Sequence, residues 1–146
     1  MEDDVIEIEN IIGKTYQKTL LDRVTEKQFP WYLNKHQVSS DMFTKDNDIN
    51  PVGWNHFLFE EQKIISPIFD LFHPLVMTIQ DLNLFPNASL ERMRLNLNEM
   101  ARDNPHEHHL PHIDSWYDHW NVIYYLNDSS GETYIFNETN KEYDTN

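Results

Sequence analysis

The chain reads as one α+β domain over residues 1–146, with helices in its first half and strands in its second. Three observations predict this. Apolar residues recur at helical spacing over residues 13–26 and 68–82. From Glu91 the period falls to two, the signature of a strand. The later apolar runs are then divided by the turn-forming string Asn127-Asp128-Ser129-Ser130-Gly131.

Each element follows from its local pattern. Val5, Ile6 and Ile8 predict a short entry strand. Tyr16, Leu20, Leu21 and Val24 fall near one face of a helix over 13–26. Phe29-Pro30-Trp31-Tyr32-Leu33 is aromatic and broken by proline, which suits an extended edge segment. Residues 34–53 are polar and rich in turn formers, so they read as a loop, and residues 54–59 read as a strand. Ser66-Pro67 is a helix start, because proline is tolerated in the first turn. Ile68, Leu71, Phe72, Leu75, Val76, Ile79 and Leu82 give the following helix its stripe. Pro74 is expected to kink or split it, since it removes a donor and crowds the preceding turn. Pro86 and Asn87 close the helical part.

After Glu91, Met93, Leu95 and Leu97 share one strand face, while Arg92, Arg94, Asn96 and Asn98 share the other. Over 120–127, Trp120, Val122, Tyr124 and Leu126 alternate with Asn121, Ile123, Tyr125 and Asn127. Apolar bulk on both faces predicts a strand covered on both sides. Thr133–Phe136 reads as the strand after the turn, and 137–146 as a polar tail. The two helices are expected to buttress one sheet from outside.

Composition narrows the function classes. With four Trp, seven Tyr and eight Phe the chain is too aromatic for a disordered segment. A formal net charge of −14 repels phosphate backbones and anionic membranes, so neither nucleic acid nor membrane is an expected partner. No apolar run approaches the ~18 residues of a membrane span. The acidic start Met1-Glu2-Asp3-Asp4 lacks the basic opening of a signal peptide, and the expected compartment is the cytoplasm. With no cysteine in the sequence, any bound metal must take nitrogen and oxygen ligands.

The chemistry concentrates at His112-Ile113-Asp114. Positions i and i+2 of a strand share a face, so His112 and Asp114 can point at one spot. An imidazole nitrogen beside a carboxylate oxygen makes two-thirds of the facial triad that holds non-haem iron(II). The crowded histidines His106, His108, His109 and His119 read either as a further ligand source or as a polar loop. His36, His56 and His73 have no such pattern around them. Trp116 and Trp120 flank the motif and read as mouth or packing residues.

His112-x-Asp114, the Tyr124-Tyr125-Leu126-Asn127 segment and the Gly131-to-Phe136 entry together resemble the iron(II)/2-oxoglutarate-dependent dioxygenases, in the prolyl-hydroxylase-like branch. Phe29-Pro30-Trp31-Tyr32-Leu33 and Arg92-Met93-Arg94-Leu95-Asn96-Leu97 look like a subgroup found in bacterial viruses, which would place the chain in the host cytoplasm. The motifs cover about residues 90 to 137, and a looser likeness extends over most of the chain. The resemblance implies a double-stranded β-helix, or jelly-roll, with His112 and Asp114 as iron(II) ligands. It implies 2-oxoglutarate as co-substrate, with ascorbate allowed as a reductant. The expected substrate is a peptide or protein side chain. Tyr125 matches the tyrosine that donates to the far carboxylate of 2-oxoglutarate, and Asn96 would line the same mouth. Tyr124 falls on the opposite face and is expected in the core.

The family pattern also needs a distal histidine and, beyond it, a basic residue for 2-oxoglutarate. His119 is the only histidine after Asp114 and follows the motif too closely to lie on an opposite strand. Three expectations follow: a C-terminally truncated piece of a longer frame, a second polypeptide that completes the barrel by strand addition, or a catalytically inactive remnant that serves as a protein-interaction module.

Overall fold

The computed structural model describes residues 5–34, 53–98, 112, 114–115, 117–129 and 131–135. These form two helices and a small antiparallel sheet that does not close on itself. The order is α1 (Lys14–Val24), β1 (Tyr32–Asn34), β2 (Gly53–Glu60), β3 (Lys63–Ile64), α2 (Phe69–Asp81) and β4 (Arg92–Leu97). The α+β class and both helices therefore stand where the periodicity places them. No helix among the described residues is long and apolar enough to cross a membrane.

The sheet is organised around β2. Along one edge it pairs with β4, from Trp54↔Leu97 to Glu60↔Arg92. Its other edge carries β1 at the start, through Tyr32↔Asn55 and Leu33↔Trp54, and β3 at the end, through Phe59↔Ile64. The β2–β3 hairpin turns on Glu61 and Gln62, whose φ angles of 49° and 61° are both left-handed. That conformation matches the twist of paired strands but is one that Asn or Gly adopts at lower cost.

Both helices cover one face of the sheet. Leu20 and Val24 of α1 meet Phe69 and Phe72 of α2, Leu58 of β2, Leu95 of β4, and Phe29. Leu20 and Leu58 are fully buried, and Phe72 nearly so. Burial of such a side chain contributes about 1.5–3 kcal/mol, so this cluster is the main source of stability. Polar ties fix the layers. The Tyr16 hydroxyl donates to the Leu71 carbonyl at 2.6 Å, and the Trp31 indole N–H donates to the Val24 carbonyl at 3.3 Å. His56, on the core face opposite Leu95, is buried between the Pro30 carbonyl (Nδ1, 2.8 Å) and the Ser66 hydroxyl (Nε2, 2.7 Å).

Several expectations are corrected. Val5, Ile6 and Ile8 form no strand and are exposed, because no described strand lies beside them to supply a ladder. Pro74 does not split α2, which runs through it as one helix. Proline removes only the bond its own N–H would have donated, and the apolar stripe packed on the core holds the two turns together. The helix ends at Asp81, earlier than Pro86 and Asn87, with Asn83 in the left-handed conformation (φ 55°) just past its end. The helix starts at Phe69, so Pro67 lies in the turn before it rather than in its first turn. The N-cap is Ile68, without a side-chain cap, and the Ile68 N–H donates to Ser66 Oγ at 3.4 Å. Residues 120–127 and 133–135 form no ladder among the described residues, and Val122, Ile123 and Ile135 are exposed. Half-buried Leu126 alone of that run packs on the core, its carbonyl accepting from Gln17 Nε2 at 3.4 Å. In the segment expected to turn, the Gly131 N–H donates to Ser129 Oγ at 3.1 Å.

Candidate functional site

The site is built on the face of β4 turned away from the helices. Met93 and Leu95 pack toward the core, while Arg92, Arg94 and Asn96 share the opposite face. The neighbouring strand contributes to that face through an irregularity. Pairing shifts between Phe57 and Phe59, leaving Leu58 as an extra residue in β2. Without it, strict alternation would put Leu58 and Glu60 on one face. With it, Leu58 and Phe59 both reach the core, and Glu60 comes opposite Arg92 on the arginine face.

Asp114 lies against this face. Its Oδ1 is 3.8 Å from Arg92 Nη2, 3.8 Å from Arg94 Nη2 and 3.8 Å from His112 Nε2. These separations exceed hydrogen-bond reach and are ion-pair contacts. His112 and Asp114 do approach one another, but neither lies in a strand among the described residues, so the expected i and i+2 strand face is not what brings them together. The two arginines beside them belong to the polar face expected of this strand.

The electrostatics of the cluster are uneven. Arg94 is three-quarters buried by side-chain area. Burial, foremost, and then the neighbouring Arg92 charge push its guanidinium below the ordinary arginine value, while Asp114 and Glu60 pull it back up. Two cations on adjacent same-face positions of one strand are destabilising unless anions accompany them. Here those anions are Asp114 and Glu60.

The donor set can be tested against a metal. Bonds of about 2.1 Å place neighbouring ligands of one ion about 3 Å apart. The 3.8 Å between His112 Nε2 and Asp114 Oδ1 is within a small side-chain adjustment of that. An imidazole nitrogen with a carboxylate oxygen suits iron(II). The described residues form no group of three His, Asp or Glu side chains able to hold an ion. The pair thus fits as two ligands of a three-ligand set, with the arginines competing for one of the two donor oxygens of Asp114.

The other sequence-selected residues are placed as follows. Asn96 is exposed on the arginine face, opposite Asn55. Tyr125 is exposed, and its hydroxyl meets the Thr133 hydroxyl. Tyr124 is half-buried rather than in the core cluster, and burial raises its phenol above the usual value. His119 is exposed, with Nδ1 2.7 Å from the Tyr117 carbonyl. Trp120 is exposed and packs its ring on Phe85 at 5.1 Å. His36, His106, His108, His109, Ile113, Trp116 and Phe136 lie outside the described residues. A cavity of ≈ 360 Å³ lies elsewhere, lined by Arg23, Phe29, Tyr32, His56 and Ser66 among others. Comparison with protein-family models, curated proteins and solved structures finds no match for this chain.

Proposed function

We propose that this chain carries a non-haem iron(II), 2-oxoglutarate-dependent oxygenase domain of the double-stranded β-helix type, related to the prolyl hydroxylases. The observation that carries the reading is the convergence of His112 Nε2 and Asp114 Oδ1 beside the polar face of β4. Support comes also from the sequence resemblance of His112-x-Asp114, Tyr124-Tyr125-Leu126-Asn127 and Gly131–Phe136.

His112 and Asp114 would hold the iron, which when bound supplies oxidative decarboxylation of 2-oxoglutarate coupled to hydroxylation of a substrate C–H bond. His112 would give the nitrogen donor, and Asp114 the negative charge that offsets the dication. Asn96, which shares the arginine face of β4, would offer an amide donor, and Tyr125 would offer a phenol to the far carboxylate of 2-oxoglutarate. The third protein ligand then falls to a histidine outside the described residues or to a second polypeptide that adds strands to the sheet. The substrate class we propose is a peptide or protein side chain, with ascorbate as an auxiliary reductant.

The test is turnover. Protein incubated with iron(II), ascorbate, oxygen and 2-oxoglutarate should release succinate, and His112→Ala or Asp114→Ala should abolish both release and iron binding. Iron stoichiometry that survives both changes refutes the assignment.

A second reading is favoured by a separate observation. Tyr117, Trp120, Val122, Ile123, Tyr125 and Ile135 are all exposed. So much apolar surface over one stretch is the mark of a contact face. On this reading the domain is a non-catalytic interaction module. It predicts no iron binding and no succinate, with association lost on Val122→Ser and Ile123→Ser.

A further inference from the structure

We propose that Arg92 and Arg94 form a carboxylate-binding pair that receives the 2-oxo carboxylate of the co-substrate, the end that meets the metal, rather than its far carboxylate. This rests on the oxygenase reading above and goes beyond it. The family pattern places a basic anchor well after the motif, whereas these arginines precede it on β4.

The placement of the guanidiniums carries the argument. Both Nη2 atoms stand 3.8 Å from the same oxygen, Asp114 Oδ1. An anion accepted by the arginines therefore sits against the very atom that a cation would take. A far carboxylate, held away from the metal by the carbon chain of the acid, would need cations set apart from that oxygen. Two forked guanidiniums also suit a planar carboxylate.

Charge balance points the same way. As the cluster stands, Arg92 and Arg94 are offset by Asp114 and Glu60. A cation bound to His112 and Asp114 draws on the Asp114 charge and leaves the arginines short of one anion. Binding of a carboxylate restores the balance. Metal and 2-oxo acid are then coupled, each favouring the other. The Leu58 irregularity belongs to the same device, because it delivers Glu60 to the arginine face.

The experiment is direct binding to the whole chain loaded with manganese(II), which needs no turnover. Dissociation constants for 2-oxoglutarate and for pyruvate, which lacks the far carboxylate, are measured by calorimetry for wild type, the double Arg92→Gln/Arg94→Gln variant and the double Lys variant. We expect the Gln variant to weaken both acids at least tenfold and by similar factors. The charge-keeping Lys variant should fall between it and wild type. Manganese affinity without acid should be unchanged or tighter, since the competing cations are gone. Loss of 2-oxoglutarate binding alone, with pyruvate untouched, overturns the proposal in favour of the far carboxylate. Equal binding of both acids by all three proteins overturns it outright while the metal site stands. Manganese binding that is absent, or indifferent to His112→Ala and Asp114→Ala, refutes the oxygenase reading itself.

Discussion

The phenol of Tyr16 donates to the carbonyl of Leu71 at 2.6 Å, joining α1 to α2 across a half-buried seam. Burial, above all, raises the Tyr16 pKa from its usual 10.0, opposed by a backbone hydrogen bond and reinforced by Tyr124. The raised value means that the folded state prefers the neutral phenol. The associated stability is whole below pH 10.0 and is lost as pH climbs through the higher folded value. Tyr16→Phe should cost about 1 kcal/mol at neutral pH, the usual worth of such a bond. Above pH 10.0 the variant should lose less stability than wild type, though Tyr124 keeps its own alkaline limb. Urea denaturation across this range checks both parts.

A second prediction concerns the buried pair His56 and Ser66. Nδ1 of His56 faces a carbonyl, so it carries the proton, and Nε2 must accept from the Ser66 hydroxyl. Ser66→Ala leaves that nitrogen buried without its donor and removes the acceptor for the Ile68 N–H. The expected cost is about 2 kcal/mol. Ser66→Thr, which keeps the hydroxyl, should lose less. Neither change should alter manganese affinity, because the pair lies on the helix side of the sheet. Denaturation midpoints compared with metal titrations decide this.

The hairpin at Glu61-Gln62 gives a prediction of opposite sign. Both residues hold positive φ, where a side chain strains the backbone. Glu61→Asn with Gln62→Gly installs residues that adopt this turn readily. Stability should rise by about 1 kcal/mol, raising Tm by roughly 3 °C for a chain of this size. A melting curve unchanged or lowered would mean that the native side chains make compensating contacts.

These elements show what the sequence made legible. The helices were readable because Leu20 and Val24, and Phe69, Phe72 and Leu75, repeat at the period of the structure they form. The polar face of β4 was readable for the same reason at period two. The β3 hairpin was not, since Glu61-Gln62 carries none of the usual turn residues. The extra residue at Leu58 was hidden because Trp54, Phe57, Leu58 and Phe59 put bulk at both parities of β2. Residues 120–127 alternated convincingly, yet a strand also needs a partner, which alternation alone does not supply. At the site, His112 and Asp114 are two residues apart and do approach one another, though not as neighbours on a strand face. Their meeting with Arg92 and Arg94 depends on long-range packing, which no short motif encodes; the one available hint was two arginines at i and i+2 beside Asn96.

The last prediction separates the two signs of charge in this cluster. The Arg94 guanidinium is pushed below its ordinary value despite Asp114 and Glu60, so the fold disfavours its charge. Arg94→Met removes that charge while keeping an apolar stem, and should leave stability unchanged or higher. Asp114→Asn does the reverse. It removes a counter-charge shared by two arginines and leaves them facing each other, at a cost of about 1 kcal/mol, kept small because every partner is partly solvated. That cost should shrink in high salt, where exposed charges are screened. A destabilised Arg94→Met, or an Asp114→Asn penalty indifferent to salt, would mean that packing rather than charge governs the face. The expected pattern would mark charge, rather than packing, as what governs the face.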